Sequence, residues 1–278
     1  MTGPAGTAHL VLLYGGAAAR VASRGRTKDG VADATERPVF VVGSPRSGTS
    51  FMAGCLGELP GFVDLGEVGP LKVSLRELAR LPEEEAARRL RRTLERVRRL
   101  GLARRLRAVE QTPETSFVLP AALRAYPEAM VVHMVRDGRD VVCSLLAKGW
   151  LREREGADDV GMPYGAYARS WVEPERVQEF ERASEARRAA WAWRRYLSAV
   201  RATAPGALEV RYEELAADPA ATAQRIATHI DAGVEPLSQA LRAMHAESVG
   251  RWRRDLTSEQ LADVEAEAGP LLRELGYA

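Results

Sequence analysis

Cysteine is scarce in this chain, and its scarcity argues against a metal centre built from thiolates. The 278 residues contain only Cys55 and Cys143, and these two do not have the spacing of metal ligands. We therefore expect two buried thiols in a reducing cytosol, and hence a cytoplasmic protein. No metal site is predicted.

Long hydrophobic runs and a strong net charge are also lacking. The longest apolar run near the start, Leu10–Tyr14, is too short to span a bilayer, so we expect no transmembrane segment. No basic residue precedes this run, which makes it a poor signal peptide. The net charge of +2 gives no general signal for a nucleic-acid partner. Lysine is rare too, at Lys28, Lys72 and Lys148, and we interpret the excess of arginine as coding bias.

The residues that are present suit one large α/β domain. Hydrophobic residues make up 46% of the chain, enough for a sizeable core. Residues 1–36 are rich in glycine, alanine and small polar residues, which predicts a poorly ordered tail with at most a helical turn near Leu10–Tyr14. The folded domain should span residues 37–278. The oligomeric state stays open.

The central stretch is Arg37–Phe51, which reads R-P-V-F-V-V-G-S-P-R-S-G-T-S-F. Its pattern predicts a strand, a tight loop and a helix. Gly43 and Gly48 permit backbone conformations that other residues avoid. The backbone N–H groups of Ser47, Gly48, Thr49 and Ser50 would then face whatever lies over the helix N-terminus, which favours an anion. An ordinary turn that binds nothing is the alternative.

The loop has the glycine spacing of a nucleoside-triphosphate loop but lacks its lysine. Thr49 stands at the lysine position, whereas the cation is Arg46, inside the loop. Arginine offers a planar fork of donors to oxyanions. The pattern therefore predicts a site for a phosphate-like group.

Two later segments supply further candidates. The apolar run Met130–Val135 predicts a buried strand that ends at Arg136, where open α/β sheets bind ligands. Ser144 follows about two helical turns later, so that both could reach one phosphate. Glu67 lies in a glycine-flanked bend after a short predicted strand, and there it is either a general base or a surface carboxylate.

Two other segments allow a structural or a functional interpretation. Residues 83–107 read as an arginine-rich helix, either a solvated face or a patch for an acidic substrate. The irregular segment Trp150–Trp171 is either a lid over the acceptor or a surface excursion with tryptophans in the core.

The chain from Pro38 to Tyr277 resembles sulfotransferases that use 3′-phosphoadenosine 5′-phosphosulfate (PAPS). P-R-S-G-T-S-F matches their 5′-phosphosulfate loop, and V-R-D-G-R-D-V-V-C-S matches the segment whose arginine and serine, here Arg136 and Ser144, grip the 3′-phosphate. V-R-Y-E-E-L, which contains Tyr212, and G-R-W-x-x-x-L, which contains Arg251, also recur in order. The resemblance implies a P-loop-like three-layer α/β fold with a central, mostly parallel sheet flanked by helices.

The PRSGT loop is closest to the bacterial and tyrosylprotein-sulfotransferase-like group, whose catalytic base is a glutamate that matches Glu67. The histidine that serves as base in cytosolic relatives is replaced by Pro113, and Gln111 stands where a lysine is common. The resemblance thus implies in-line sulfonate transfer from PAPS, with 3′-phosphoadenosine 5′-phosphate (PAP) as product. Glu67 would act as base, and Arg46, Thr49 and Ser50 would hold the transferring group.

Two other functions compete with this one. A P-loop kinase would need a lysine after Gly48. A non-catalytic nucleotide or polyanion binder would tolerate loss of Glu67. The acceptor hydroxyl could belong to a small molecule, a carbohydrate, a lipid or a tyrosine.

Overall fold

The computed structural model describes residues 16–22, 36–100, 106–152 and 171–277. Within these residues, five parallel strands form one sheet in the order β2-β3-β1-β4-β5. The strands are β1 (Val39–Gly43), β2 (Phe62–Asp64), β3 (Arg107–Glu110), β4 (Met130–Val135) and β5 (Leu208–Arg211). The predicted α/β class with a parallel central sheet is confirmed.

The helices cover both faces of this sheet. In chain order they are α1 (residues 16–22), α2 (Thr49–Gly57), α3 (Gly69–Leu78), α4 (Glu83–Leu100), α5 (Leu119–Ala125), α6 (Gly138–Lys148), α7 (Val177–Arg182), α8 (Glu185–Thr203), α9 (Tyr212–Ala217), α10 (Pro219–Ile230), α11 (Val234–Leu241), α12 (Trp252–Asp255) and α13 (Ser258–Glu274).

The sequence of the central strand β1 is apolar without alternation because both of its faces are buried. All five of its residues are buried. Val39 and Val41 pack in a cluster with α2, α10 and α11. Phe40 and Val42 point the other way, into a cluster with α3, α4 and α5. Because successive side chains of a strand face opposite sides, a strand between two helical layers must be apolar throughout.

The segment after α4 departs from the prediction. The arginine-rich helix was expected over residues 83–107, but α4 ends at Leu100 and Arg107 is the first residue of β3. The Arg107 guanidinium donates to the backbone carbonyls of Arg37 and Ile230, so it stabilises chain crossings instead of facing solvent. The sequence pattern assigned Arg107 to the helix because a buried arginine that donates to carbonyls cannot be distinguished from an exposed arginine by sequence alone.

The chain between Thr112 and Ala125 forms two short helices. Pro113–Phe117 form a 3-10 helix, and α5 begins only at Leu119. Pro120 lies in the first turn of α5, where its missing N–H costs nothing, whereas inside a continuous helix it would remove a hydrogen bond.

Residues upstream of Arg37 also contribute to the core. Ala17 and Val21 of α1 are buried in the same cluster as Phe40, and Arg20 forms an ion pair with Asp64 at 2.7 Å. The helical turn expected at Leu10–Tyr14 lies outside the described residues. The domain division at residue 37 stays a prediction.

Both cysteines have the predicted state. Cys55 and Cys143 are free and buried, and burial raises the pKa of the two thiols to about 11 and about 12. Since the thiolate is the reactive form, neither is suited to nucleophilic chemistry.

Candidate functional site

The candidate site lies at the carboxyl edge of the sheet, where the chain leaves β1, β3, β4 and β5. The loop of residues 44–48 follows β1 and leads into α2. Gly43 and Gly48 have φ angles of 138° and 92°. A Cβ on Gly43 would lie 2.4 Å from the carbonyl oxygen of Met134, and one on Gly48 would lie 2.9 Å from the Tyr212 ring. The loop therefore requires both glycines, as the sequence predicted.

The start of α2 is open to an anion. Its N-cap is Gly48, and no described side chain caps it. The first N–H groups of a helix have no partner within the helix, and the helix dipole places partial positive charge there. Thr49 is buried and Ser50 is exposed at this end, so a hydroxyl and backbone amides are available together.

Arg46 joins this loop to α6. Its Nε donates to Ser144 Oγ at 2.9 Å, and its guanidinium lies 5.8 Å from the centre of the Trp150 ring. The residue has a φ of 71°, in the left-handed region that non-glycine residues rarely adopt. This conformation directs the cation toward Ser144, the residue predicted to hold the 3′-phosphate.

Arg136 links three segments of the site. Its side chain donates to the Arg46 carbonyl at 3.0 Å and to the Ser248 carbonyl at 2.7 Å. The guanidinium lies 4.2 Å from the centre of the Tyr212 ring, whose hydroxyl is 2.9 Å from Ser248 Oγ. Sequence reasoning placed Arg136 and Tyr212 at the site separately, and the structure stacks one on the other.

Asp140 is a site residue that sequence reasoning missed. It is fully buried, and its two carboxylate oxygens accept from the backbone N–H groups of Gly250 at 2.7 Å and Trp252 at 3.0 Å. Asp140 thereby holds the loop that carries Arg251 against α6, while Arg251 itself pairs with Asp255 at 2.8 Å. The sequence signal that could have identified Asp140 is its position one helical turn before Ser144, on the same face of α6.

The opposite side of the loop carries the predicted base. Ser50 Oγ donates to Gln111 Oε1 at 3.1 Å, and Val68 N–H donates to Thr112 Oγ1 at 3.0 Å. These contacts hold the bend of Glu67 beside the start of α2. The Glu67 carboxylate is 42% exposed and pairs with Lys72 Nζ at 2.5 Å.

Two buried carboxyl groups follow β3. Glu110 accepts from Thr112 N–H at 2.8 Å and from Thr115 Oγ1 at 3.0 Å, and burial raises its pKa to about 7. Glu114 accepts from the Tyr196 hydroxyl at 2.9 Å, while its other oxygen is buried without a partner among the described residues. Burial raises the pKa of Glu114 as well.

We expect Glu110 to make folding less favourable as pH rises toward 8. The pKa of its carboxyl is about 7 in the folded state and 4.5 ordinarily. At a pH between these two values, the folded state therefore holds a proton that the unfolded state has released. The stabilising contribution of the protonated form is complete below the lower pKa and is lost as pH rises through the higher one. A pKa difference of this size corresponds to about 3 kcal/mol.

Urea unfolding of Glu110→Gln between pH 5 and pH 8 measures this contribution. The glutamine should weaken the decline of stability with pH by about 2–3 kcal/mol over that interval. Glu77→Gln, which changes an exposed carboxylate on α3, is the control. Equal pH dependence in wild type and Glu110→Gln would contradict the assignment.

The described residues fall into two groups around the loop. Arg46, Arg136, Ser144 and Tyr212 are brought into contact, and the Arg251 loop is fixed beside them by Asp140. Glu67 lies on the other side, with Ser50 and Gln111. Ser47 is fully buried, and its hydroxyl has no partner among the described residues.

The segment Trp150–Trp171 is described only at its ends. Trp171 is buried and contacts the Phe180 ring, with centroids 5.5 Å apart, so this tryptophan belongs to the core. The stretch 153–170, on which the lid hypothesis depends, lies outside the described residues.

Among the described residues, no group of three or more His, Cys, Asp or Glu side chains could hold a metal ion. No helix in this part of the chain is long and apolar enough to cross a membrane.

Residues 38–236 match the model of a family described as the sulfotransferase family. No curated protein matches the chain.

Three solved structures share the fold. The sulfotransferase domain from the curacin biosynthetic pathway aligns with a TM-score of 0.58 at 11% identity, over 87% of this chain and 98% of that domain. The sulfotransferase domain of the Synechococcus PCC 7002 olefin synthase aligns at 0.50 and 14% identity, over 87% and 98%. Mouse sulfotransferase SULT7A1, complexed with PAP, aligns at 0.50 and 15% identity, over 89% and 90%.

Proposed function

Because the chain belongs to the sulfotransferase family, we propose that it transfers a sulfonate group from PAPS to an acceptor hydroxyl by in-line displacement. The observation that carries this proposal is the contact of Arg46, Arg136 and Ser144 at the open N-terminus of α2. Three polar side chains and the first backbone N–H groups of α2 there suit a nucleotide with two anionic ends.

The residues present fit such a donor. Arg136 Nε and Ser47 Oγ are buried and have no partner among the described residues. A buried donor without a partner loses its hydration free energy, and an anion bound beside it would restore a hydrogen bond. Ser47 belongs to the loop, and Arg136 donates to the Arg46 carbonyl of the same loop. Both atoms therefore lie where a phosphate would bind.

Each residue then has a stated task. Arg136, Ser144, Tyr212 and Arg251 bind the 3′-phosphate end, and the amides of Gly48, Thr49 and Ser50 bind the 5′ end. The Ser47 N–H, which the sequence predicted to face the anion, instead donates to the Ser44 carbonyl at 3.1 Å. Bound PAPS supplies an activated sulfonate on a phosphate leaving group. Glu67 removes the proton from the acceptor hydroxyl. Catalysis by this chain is chiefly positioning and charge stabilisation.

The position of Arg46 bears on its proposed catalytic role. Its guanidinium is directed at Ser144, the 3′-phosphate end, so holding the sulfonate would require a turn of the side chain about the loop. The contact with Ser144 favours nucleotide binding as the first role of Arg46.

We expect PAP to bind much more tightly than AMP, which lacks the 3′-phosphate. A hydrogen bond to a charged group contributes about 1.5–3 kcal/mol, so Arg136→Ala should weaken PAP binding by roughly tenfold or more while affecting AMP far less. Isothermal titration calorimetry measures both affinities.

Arg225→Ala is the control for this experiment, since Arg225 lies on α10 and pairs with Glu214 on the surface. The control should bind PAP like wild type. Equal affinity of the wild-type protein for PAP and AMP would exclude the proposed nucleotide site. Transfer of the labelled sulfonate group from PAPS to candidate acceptors then tests the reaction itself and identifies the acceptor class.

A further inference from the structure

Positive charge is unevenly distributed around the loop. Arg46 and Arg136 both lie on the side of α6 and Ser144. On the side of β3, the start of α2 meets Gln111, whose amide is neutral and 94% buried. Transfer of a sulfonate places developing negative charge on the leaving phosphate oxygen, and a fixed cation stabilises such charge better than a neutral amide.

Lys72 is the cation that the structure places on this side. Its Nζ pairs with Glu67 at 2.5 Å. Val68, the residue after Glu67, donates its N–H to Thr112, which directly follows Gln111. The stem of Lys72 therefore begins one helical turn from the bend that faces the start of α2.

The charge of Lys72 also reaches the segment after Gln111. Burial raises the pKa of Glu114, and Lys72 is the strongest influence that opposes this rise. The ammonium group thus pairs with the exposed carboxylate of Glu67 and favours the ionised form of Glu114. Among the residues that the structure describes, Arg20 is a second cation near this bend, but its guanidinium is held by Asp64 at 2.7 Å.

We propose that Lys72 is a catalytic residue, which contacts the transferring sulfonate and neutralises the charge on the leaving group. This inference rests on the proposed function. In the step, the bond from sulfur to the 5′-phosphate oxygen breaks and its electron pair stays on that oxygen. A new bond forms from the acceptor oxygen to sulfur, the acceptor proton passes to Glu67, and Lys72 stays protonated throughout.

The charge can be moved to test this role. Lys72→Met removes the cation, Gln111→Lys places one beside Ser50, and the double variant transfers it from one position to the other. Arg76→Met is the matched control, since Arg76 is an exposed cation one turn further along α3. Calorimetry measures the affinities for PAP and PAPS, and labelled PAPS measures sulfonate transfer, as inorganic sulfate with water or as p-nitrophenyl sulfate with p-nitrophenol.

Lys72→Met should weaken PAPS binding by about fivefold or more and lower sulfonate transfer by about 10²-fold, the effect of removing one transition-state donor. Its affinity for PAP, which carries the charged 5′-phosphate of the leaving group but no sulfonate, should fall by no more than its affinity for PAPS. The double variant should recover PAPS affinity and sulfonate transfer to within about tenfold of wild type, and Arg76→Met should match wild type.

The outcomes separate this role from the function on which it rests. A wild-type protein that does not bind PAP would overturn the proposed function and this role together. A wild-type protein that binds PAP, with PAPS affinity unchanged in Lys72→Met, would overturn the role alone. Loss that Gln111→Lys fails to restore would also overturn it, and would leave Lys72 as a partner of Glu67 only.

Discussion

Glu67→Gln is expected to bind PAP with wild-type affinity and to lose about 10²–10⁴-fold in turnover, the usual contribution of a general base. The glutamine keeps the shape of the side chain but cannot accept the acceptor proton. Since the carboxylate is partly exposed and pairs only with Lys72 among the described residues, the change should leave the fold intact.

Glu77→Gln is the control, because Glu77 is an exposed carboxylate on α3, the helix that follows the bend of Glu67, and it pairs with Arg89. Single-turnover sulfate transfer to an acceptor already shown to react, with PAP affinity from calorimetry, separates binding from chemistry. Turnover in Glu67→Gln within a few-fold of wild type would assign the base to another residue.

Glu110 is the other carboxyl group at this end of β3, and its surroundings make it a poor base. It is fully buried, and its two oxygens already accept from Thr112 and Thr115. A carboxyl so placed cannot reach an acceptor hydroxyl without breaking those hydrogen bonds. The contrast between a buried, occupied Glu110 and an accessible Glu67 supports the proposal for Glu67.

The parts of the site that the sequence predicted have local signals. The apolar run of β1, two glycines and a helix start lie within fifteen consecutive residues, 37–51, and the structure has strand, loop and helix there. Arg136 directly follows the apolar run of β4, so its position at the end of that strand could be predicted. Both inferences need only neighbouring residues and the rule that ligands meet the carboxyl edge of a parallel sheet.

The contacts that sequence reasoning could not supply join distant segments. Asp140 holds the loop at Gly250, 110 residues later, and Arg46 reaches Ser144 across 98 residues. Such pairings depend on how β1, β4 and the last helices pack, which no local pattern encodes. The boundary error near Arg107 has a different cause, because helix propensity and charge were outweighed there by sheet pairing.

Trp193→Ala is expected to lower the free energy of unfolding by about 3–5 kcal/mol, as large-to-small changes in a core do. The Trp193 side chain is fully buried, and its Nε1 donates to the Arg136 carbonyl at 3.0 Å. Its ring fills the space against Gly138, where a Cβ would lie 2.8 Å from it. The indole therefore supports both the core and the turn that carries Arg136.

A pair of milder substitutions separates these two roles. Trp193→Phe removes the hydrogen bond to Arg136 and should cost about 1–2 kcal/mol of stability. PAP binding should weaken by several-fold, because the Arg136 turn loses its support.

Trp191→Phe on the same helix is the matched control, since Trp191 is equally buried but donates to Glu173 at 2.7 Å, away from Arg136. Urea unfolding should show similar losses for both variants, whereas calorimetry should show weakened PAP binding only for Trp193→Phe. Equal PAP affinities in the two variants would show that Trp193 stabilises the core without positioning Arg136.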